Sequence, residues 1–148
     1  MKKIEIDTFL KFRFLSNPHF SPDGTKIAFT ISVPDRETNG YLSDLYLYDL
    51  GKKTVSRVTC AGDAKIWSWT AENTLIFPAA RTASLKKEKE NGTSFFYEIS
   101  PSGGEASCRA SVPASVTGIR LLPDGRYLLT IRHDNYKDTR KKSYEVFD

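Results

Sequence analysis

The chain has 148 residues, of which 39% are hydrophobic and 27% charged, and a formal net charge of +4. That is the length of one ordinary domain and the balance of a folded protein, which excludes a disordered tail. No apolar run approaches the roughly 20 residues that a membrane-spanning helix needs, and two cysteines 48 residues apart, Cys60 and Cys108, cannot make a four-thiolate zinc site.

At the N-terminus a basic start is followed by Asp7, Lys11 and Arg13, which interrupt any apolar core of a signal peptide. A cytoplasmic chain with two free thiols is therefore expected, with no membrane partner. From Asp7 to Phe14 the pattern fits either a short helix capped by Asp7 or an extended lead-in with Phe12 and Phe14 on one face.

Beyond this lead-in the chain repeats itself. His19–Ser32 (HFSPDGTKIAFTIS), Ser68–Arg81 (SWTAENTLIFPAAR) and Leu121–His133 (LLPDGRYLLTIRH) each read as a bulky apolar residue, a polar turn and a short apolar strand. Their anchors Phe20, Trp69 and Leu121 are 49 and 52 residues apart. Between them lie Asp44–Thr54, Phe95–Glu105 and Tyr144–Asp148, and aligning Asp49, Ser100 and Asp148 gives spacings of 51 and 48. Two independent sets of anchors thus share a period near fifty, the mark of a repeat architecture.

Local chemistry explains the pieces. Pro22-Asp23-Gly24 and Pro123-Asp124-Gly125 combine a preset φ, a side chain that bonds its own backbone, and a residue that accepts positive φ. In the middle repeat Asn73 takes the glycine's place. In the first repeat strands are predicted near Asn17–Phe20, Lys26–Val33, Asp44–Asp49 and Val55–Thr59. They are apolar on both faces, with Leu45 and Leu47 on one and Tyr46 and Tyr48 on the other, so each small sheet is covered twice. The reading is all-β: a partial β-propeller of about three four-stranded antiparallel blades after a short lead-in. Its expected divisions are 1–16 for the lead-in, 17–60 and 61–111 for two blades, and 112–148 for an incomplete third.

The long connections Pro34–Ser43, Thr82–Ser94 and Asp134–Ser143 are expected on one face of the disc, where repeat proteins often bind. Lys86, Lys87 and Lys89 alternate with Glu88 and Glu90 as in a solvated loop, and Asp134 and Asp138 dilute the basic stretch Arg132–Lys142. No nucleic-acid motif accompanies either, and no nucleic-acid partner is expected. No residue set suggests a cofactor or a metal.

Thr8–Phe29 (TFLKFRFLSNPHFSPDGTKIAF), followed by DLYLYDL, resembles the N-terminus of the prolyl oligopeptidase family of serine peptidases, in particular its acylaminoacyl-peptidase-like and dipeptidyl-peptidase-like members. The resemblance implies a longer propeller, a C-terminal α/β-hydrolase domain that this chain lacks, and a role for the propeller in gating and positioning peptide substrates. The SPDG repeat also occurs in TolB-type propellers, so the alternative is a non-enzymatic interaction scaffold. The 148 residues hold no GxSxG nucleophile elbow. His19 is expected to be a hydrogen-bonded structural residue and His133 an exposed one, and Glu88 and Glu90 are not assigned as amino-terminus anchors. No catalytic residue is therefore assigned. An open arc is also expected to self-associate through exposed Leu128, Leu129, Ile131 and Val146, or through the edge Tyr144–Phe147, for instance as a two-fold pair of arcs.

Overall fold

The computed structural model describes residues 6–132. A 3-10 helix, Ile6–Lys11, leads into three antiparallel sheets. Sheet 1 is a meander of β1 (Phe14–Phe20), β2 (Lys26–Asp35), β3 (Gly40–Asp49) and β4 (Thr54–Arg57). Sheet 2 repeats it with β5 (Ser68–Trp69), β6 (Leu75–Pro78), β7 (Ser94–Ile99) and β8 (Ser107–Val112), and helix α1 (Ala83–Glu90) lies between β6 and β7. Sheet 3 comprises β9 (Ser115–Leu121) and β10 (Tyr127–Arg132). His133, Val146 and the segments Asp134–Ser143 and Tyr144–Asp148 lie outside the described residues.

The first turn of each sheet is the same device built from three sequences. Ser21 N–H donates to Lys26 O, Thr70 N–H to Thr74 O and Leu122 N–H to Arg126 O, at 2.8–2.9 Å. Gly24, Asn73 and Gly125 occupy the matching left-handed positions, at φ 70, 60 and 82°. Asp23 Oδ1 accepts from Ser21 Oγ at 2.6 Å, from Thr25 N at 3.0 Å and from Thr25 Oγ1 at 2.9 Å. Those donors hold its carboxyl down to about 2, the Ser21 hydroxyl first among them. Asn73 does a second job: its Oδ1 accepts from Asp23 N at 3.0 Å, so the turns of adjacent sheets are bonded together.

Three expectations about the elements need correction. The lead-in is neither form throughout: a 3-10 helix that holds Asp7 within it rather than as its cap runs to Lys11, and strand starts at Phe14, so β1 begins before Asn17. The connection Pro34–Ser43 is mostly strand, because β2 and β3 stay paired out to Asp35 and Gly40. Asp35 Oδ2 accepts from Thr38 N and Oγ1 at 2.9 and 2.6 Å, and Asn39 at φ 47° completes a tight reversal. The charged run at Lys86–Glu90 is helical rather than a loop. Thr82 caps it by accepting from Leu85 N, no Gly or Pro interrupts it, and its charges stay in solvent while Leu85 packs against the core.

Packing shows why the strands are apolar on both faces. From sheet 1, Ala28, Leu45 and Leu47 meet Leu75, Phe77, Phe95, Tyr97 and Ile99 of sheet 2 in one buried cluster. From the opposite face of sheet 2, Ile76 and Phe96 pack on Val116, Ile119 and Leu129 of sheet 3. Sheet 2 is thus covered twice, as a propeller blade is. Leu129 therefore faces inward, contrary to expectation, whereas Leu128 and Ile131 are 57% and 51% exposed. The pleat separates Leu128 from Leu129, since neighbours along β10 point to opposite faces, whereas Ile131 shares the face of Leu129 and lies beyond the bulge in the pairing, where sheet 2 no longer covers it.

Gly24→Val and Gly125→Val are each expected to destabilise by about 1–2 kcal/mol from the left-handed backbone alone, since an added Cβ meets nothing within 4 Å at either position. Thermal melts of the two variants measure this, and Asn73→Gly should be milder because it keeps the backbone conformation. The depressed Asp23 carboxyl stabilises the fold above the ordinary carboxylate range, about pH 4, and this is lost as pH falls through about 2. An acid titration should show a shallower loss over that window for Asp23→Ala.

Candidate functional site

The first strands of the three sheets converge. β1, β5 with the residues before it, and β9 line one cavity of 440 Å³. In a propeller the first strand of each blade faces the central channel, so this cavity lies along the inner wall of the arc.

Its floor is aromatic and fixed. Trp67 and Trp69 are 6% and 4% exposed. Trp67 Nε1 donates to Thr30 Oγ1 at 2.9 Å and Trp69 Nε1 to His19 O at 3.2 Å, so each indole is tied to sheet 1. Ser68, between them, accepts on its Oγ from Leu121 N at 3.1 Å and so joins β5 to β9. A second serine bridges the same pair of sheets: Ser94 Oγ donates to Ala114 O at 2.8 Å and accepts from Val116 N at 3.0 Å. The passage from sheet 1 to sheet 2 is held by Asp44, which is 7% exposed. Its carboxylate accepts from Arg57 Nη2 at 2.5 Å, Thr59 Oγ1 at 3.2 Å and Gly62 N at 3.1 Å.

The wall of the cavity carries charge. Among the described residues, Lys65 of the connection before β5 and Arg120 of β9 line it, both exposed, and no acidic residue does. Neither cation makes an ion pair among the described residues. His19 also lines it, and the expectation of a hydrogen-bonded histidine is corrected: the ring is exposed and meets Trp67 edge-on, with centroids 5.7 Å apart. Asn17 sits at φ 52° directly before Pro18, inside a bulge where the pairing of β1 with β2 skips from Ser16 to His19. The left-handed region is disfavoured before proline, so the surrounding sheet imposes this conformation.

Glu88 and Glu90, on exposed α1, are not among the residues that line the cavity. Lys65, Trp67 and Arg120 were not singled out by sequence. Only Arg120 carries a positional signal, because His19, Ser68 and Arg120 each immediately precede the repeat anchors Phe20, Trp69 and Leu121, whereas Lys65 and Trp67 lie in the connection before β5. Cys60 and Cys108 are free, exposed thiols. Among the described residues no cluster of His, Cys, Asp or Glu could hold a metal, and no helix is long and apolar enough to cross a membrane.

Ser94→Ala leaves the Val116 N–H and the Ala114 carbonyl without this partner where sheets 2 and 3 meet. A loss of about 1–3 kcal/mol is expected, read as a lower denaturation midpoint with an unchanged m-value.

No protein-family model matches the sequence. A peptidase of Bacillus subtilis, YuxL, described as uncharacterized, is 26% identical over 98% of this chain and 22% of its own length. The chain thus spans about a fifth of that relative. Among solved structures, the β-propeller domain of the trilobed protease from Pyrococcus furiosus matches with a TM-score of 0.57 at 15% identity, over 82% of this chain and 34% of that one. An acylaminoacyl peptidase in complex with Z-Gly-Gly-Phe-chloromethyl ketone matches with a TM-score of 0.62 at 18% identity, over 96% and 22%. Repeat, fold and relatives agree that the chain is a partial β-propeller, similar in fold to the β-propeller domain of the trilobed protease and to part of the acylaminoacyl peptidase.

Proposed function

We propose that this chain gates and positions peptide substrates for a serine peptidase domain that lies outside the 148 residues. The observation that carries the reading is the concave inner wall, where three first strands and two anchored tryptophans enclose a cavity of 440 Å³, within the size range of small-ligand sites. The sequence adds that these residues hold no nucleophile elbow while aligning with one fifth of a peptidase. On this reading the inner wall would take an extended chain rather than a folded one.

The fold also supports a proposal about the arc's free face. In sheet 2 the row Trp69, Leu75, Ile99 and Ala106 is covered by sheet 1, at 4%, 0%, 7% and 7% exposure. The repeat places Phe20, Ile27, Tyr48 and Val55 in the equivalent row of sheet 1, with Phe20 paired to Ile27, Ile27 to Tyr48 and Tyr48 to Val55. Phe20 and Val55 are 65% and 58% exposed, and Leu15 adds 66% on the same face. This row is built to take another sheet of the same kind. When the 148-residue chain is alone, that sheet comes from a second copy, whose Leu128 occupies the position of Ala28 and Ile76 in the repeat.

Two measurements test these proposals. A fluorophosphonate should leave every serine of the chain unlabelled while short peptides bind, whereas tighter binding of folded proteins than of peptides would favour the TolB-type scaffold. Light scattering at tens of micromolar should show self-association that Val55→Lys and Leu15→Lys weaken. A monodisperse monomer before substitution overturns the second-copy proposal.

A further inference from the structure

Two asparagines of the sequence stand directly before glycine, at Asn39–Gly40 and Asn91–Gly92, and both are exposed. In such a pair the glycine nitrogen has no Cβ beside it to shield it, and it can attack the amide carbon of the asparagine side chain. The two sites share this chemistry and differ in how firmly the fold holds the nitrogen. Gly40 is held by a sheet. The Ser43 N–H donates to Gly62 O and its C=O accepts from Ala64 N, both at 2.9 Å, so Ser43 turns its backbone away from β2. By alternation Gly40, Leu42 and Asp44 are the residues of β3 that bond β2, opposite Asp35, Val33 and Ile31. The Gly40 nitrogen is thus the end rung of a long ladder, and Asp35 closes the tip before it by accepting from Thr38 N and Oγ1.

Gly92 is held only by the end of helix α1. Its N–H donates to Lys89 O at 2.9 Å and the Thr93 N–H to Glu88 O at 3.0 Å, the paired bonds of a Schellman stop with Gly92 at φ 92°. Those bonds last no longer than the helix, which has eight residues, none of them buried. The end of so short a helix opens for little free energy. The space beside Gly92 is also open, since an added Cβ meets nothing within 4 Å. The glycine that stops the helix is therefore the one that leaves Asn91 open to attack.

We propose that Asn91 is a site of spontaneous modification, where deamidation at Asn91–Gly92 makes a carboxylate and releases the last turn of α1. The Gly92 nitrogen forms a bond to Asn91 Cγ, the Cγ–Nδ2 bond breaks, and ammonia leaves with the proton that the Gly92 amide gave up. Water then opens the resulting succinimide at one of its two carbonyls. Cleavage of the bond from nitrogen to Cγ leaves aspartate, and cleavage of the bond to the main-chain carbonyl leaves isoaspartate, with the chain running through the former side chain. Either product adds a negative charge at the C-terminal end of α1, where the helix dipole disfavours it and Glu88 and Glu90 already stand. Isoaspartate also lengthens the main chain before Gly92, so the bonds to Lys89 O and Glu88 O cannot both form. This chemistry needs no peptide substrate and is independent of the peptide-handling reading.

The test incubates the 148-residue chain in mildly alkaline buffer and follows it by peptide mapping, with isoaspartate methyltransferase as a second readout. The peptide that contains Asn91 is expected to gain about 1 Da, roughly tenfold faster than the peptide that contains Asn39. In urea, where neither nitrogen is held, the two should react at similar rates. Asn91→Gln should abolish the gain at this position and leave the melting temperature unchanged, because ring closure from the longer side chain is far slower. Brief trypsin treatment should cut after Lys86, Lys87 or Lys89 in proportion to the modified fraction, and Asn91→Gln should stay resistant over the same incubation. A gain that appears first at Asn39, or none at Asn91 in the folded chain while both react in urea, overturns the assignment of the site. Full conversion at Asn91 with trypsin resistance unchanged overturns the release of α1.

Discussion

Everything in this molecule depends on sheet 2 being buried from both sides. Leu75, Phe77, Phe95, Tyr97 and Ile99 go to sheet 1, and Ile76 and Phe96 go to sheet 3. A four-stranded sheet this small has too little apolar area on one face to offset the chain entropy lost in forming it. Covering both faces roughly doubles the apolar surface removed from water for the same number of ordered residues. The repeat follows from this requirement, because every sheet must present one face that fits the previous sheet and one that fits the next.

The interfaces are not copies of each other, and the difference is chemical. Between sheets 1 and 2 the contact is dry, with Leu47 at 2% exposure. The position 51 residues on is Glu98, whose carboxylate accepts from Thr74 Oγ1 and from Arg109 Nε at 2.5 Å. The Thr74 hydroxyl and then the Arg109 guanidinium hold this carboxyl below its usual range. Where hydrocarbon does not complete the seam, serine and threonine hydroxyls do: Ser68, Ser94 and Thr30 each make a bond between adjacent sheets or to the tryptophans between them. Such directional bonds set the register of one sheet on the next, which non-directional apolar contact does not.

The same stacking makes the inner wall. Because successive sheets fan around their first strands, β1, β5 and β9 are brought together although they lie about fifty residues apart in sequence. Residues of three repeats, such as His19, Trp67 and Ile119, thereby come to line one space. A site of this kind belongs to the arc and to no single blade.

What the sequence determined by itself was the repeat period and those local features that few residue types can make. The left-handed turns at Gly24, Asn73 and Gly125 were legible because few residues accept positive φ. The two-faced strands were legible because Leu45 and Tyr46 alternate with no polar position between them. The hairpin at Asp35–Gly40 and helix α1 were not, since each turns on one capping or turn bond, Asp35 to Thr38 or Thr82 to Leu85, that reads in sequence like ordinary loop polarity. Nor was the burial of Leu129 against the exposure of Leu128, which needs the pairing register and the position of the neighbouring sheet. The cavity and its charge were decided by tertiary structure alone, because they arise from the fanning of three sheets, and no spacing within one repeat encodes the distance between two.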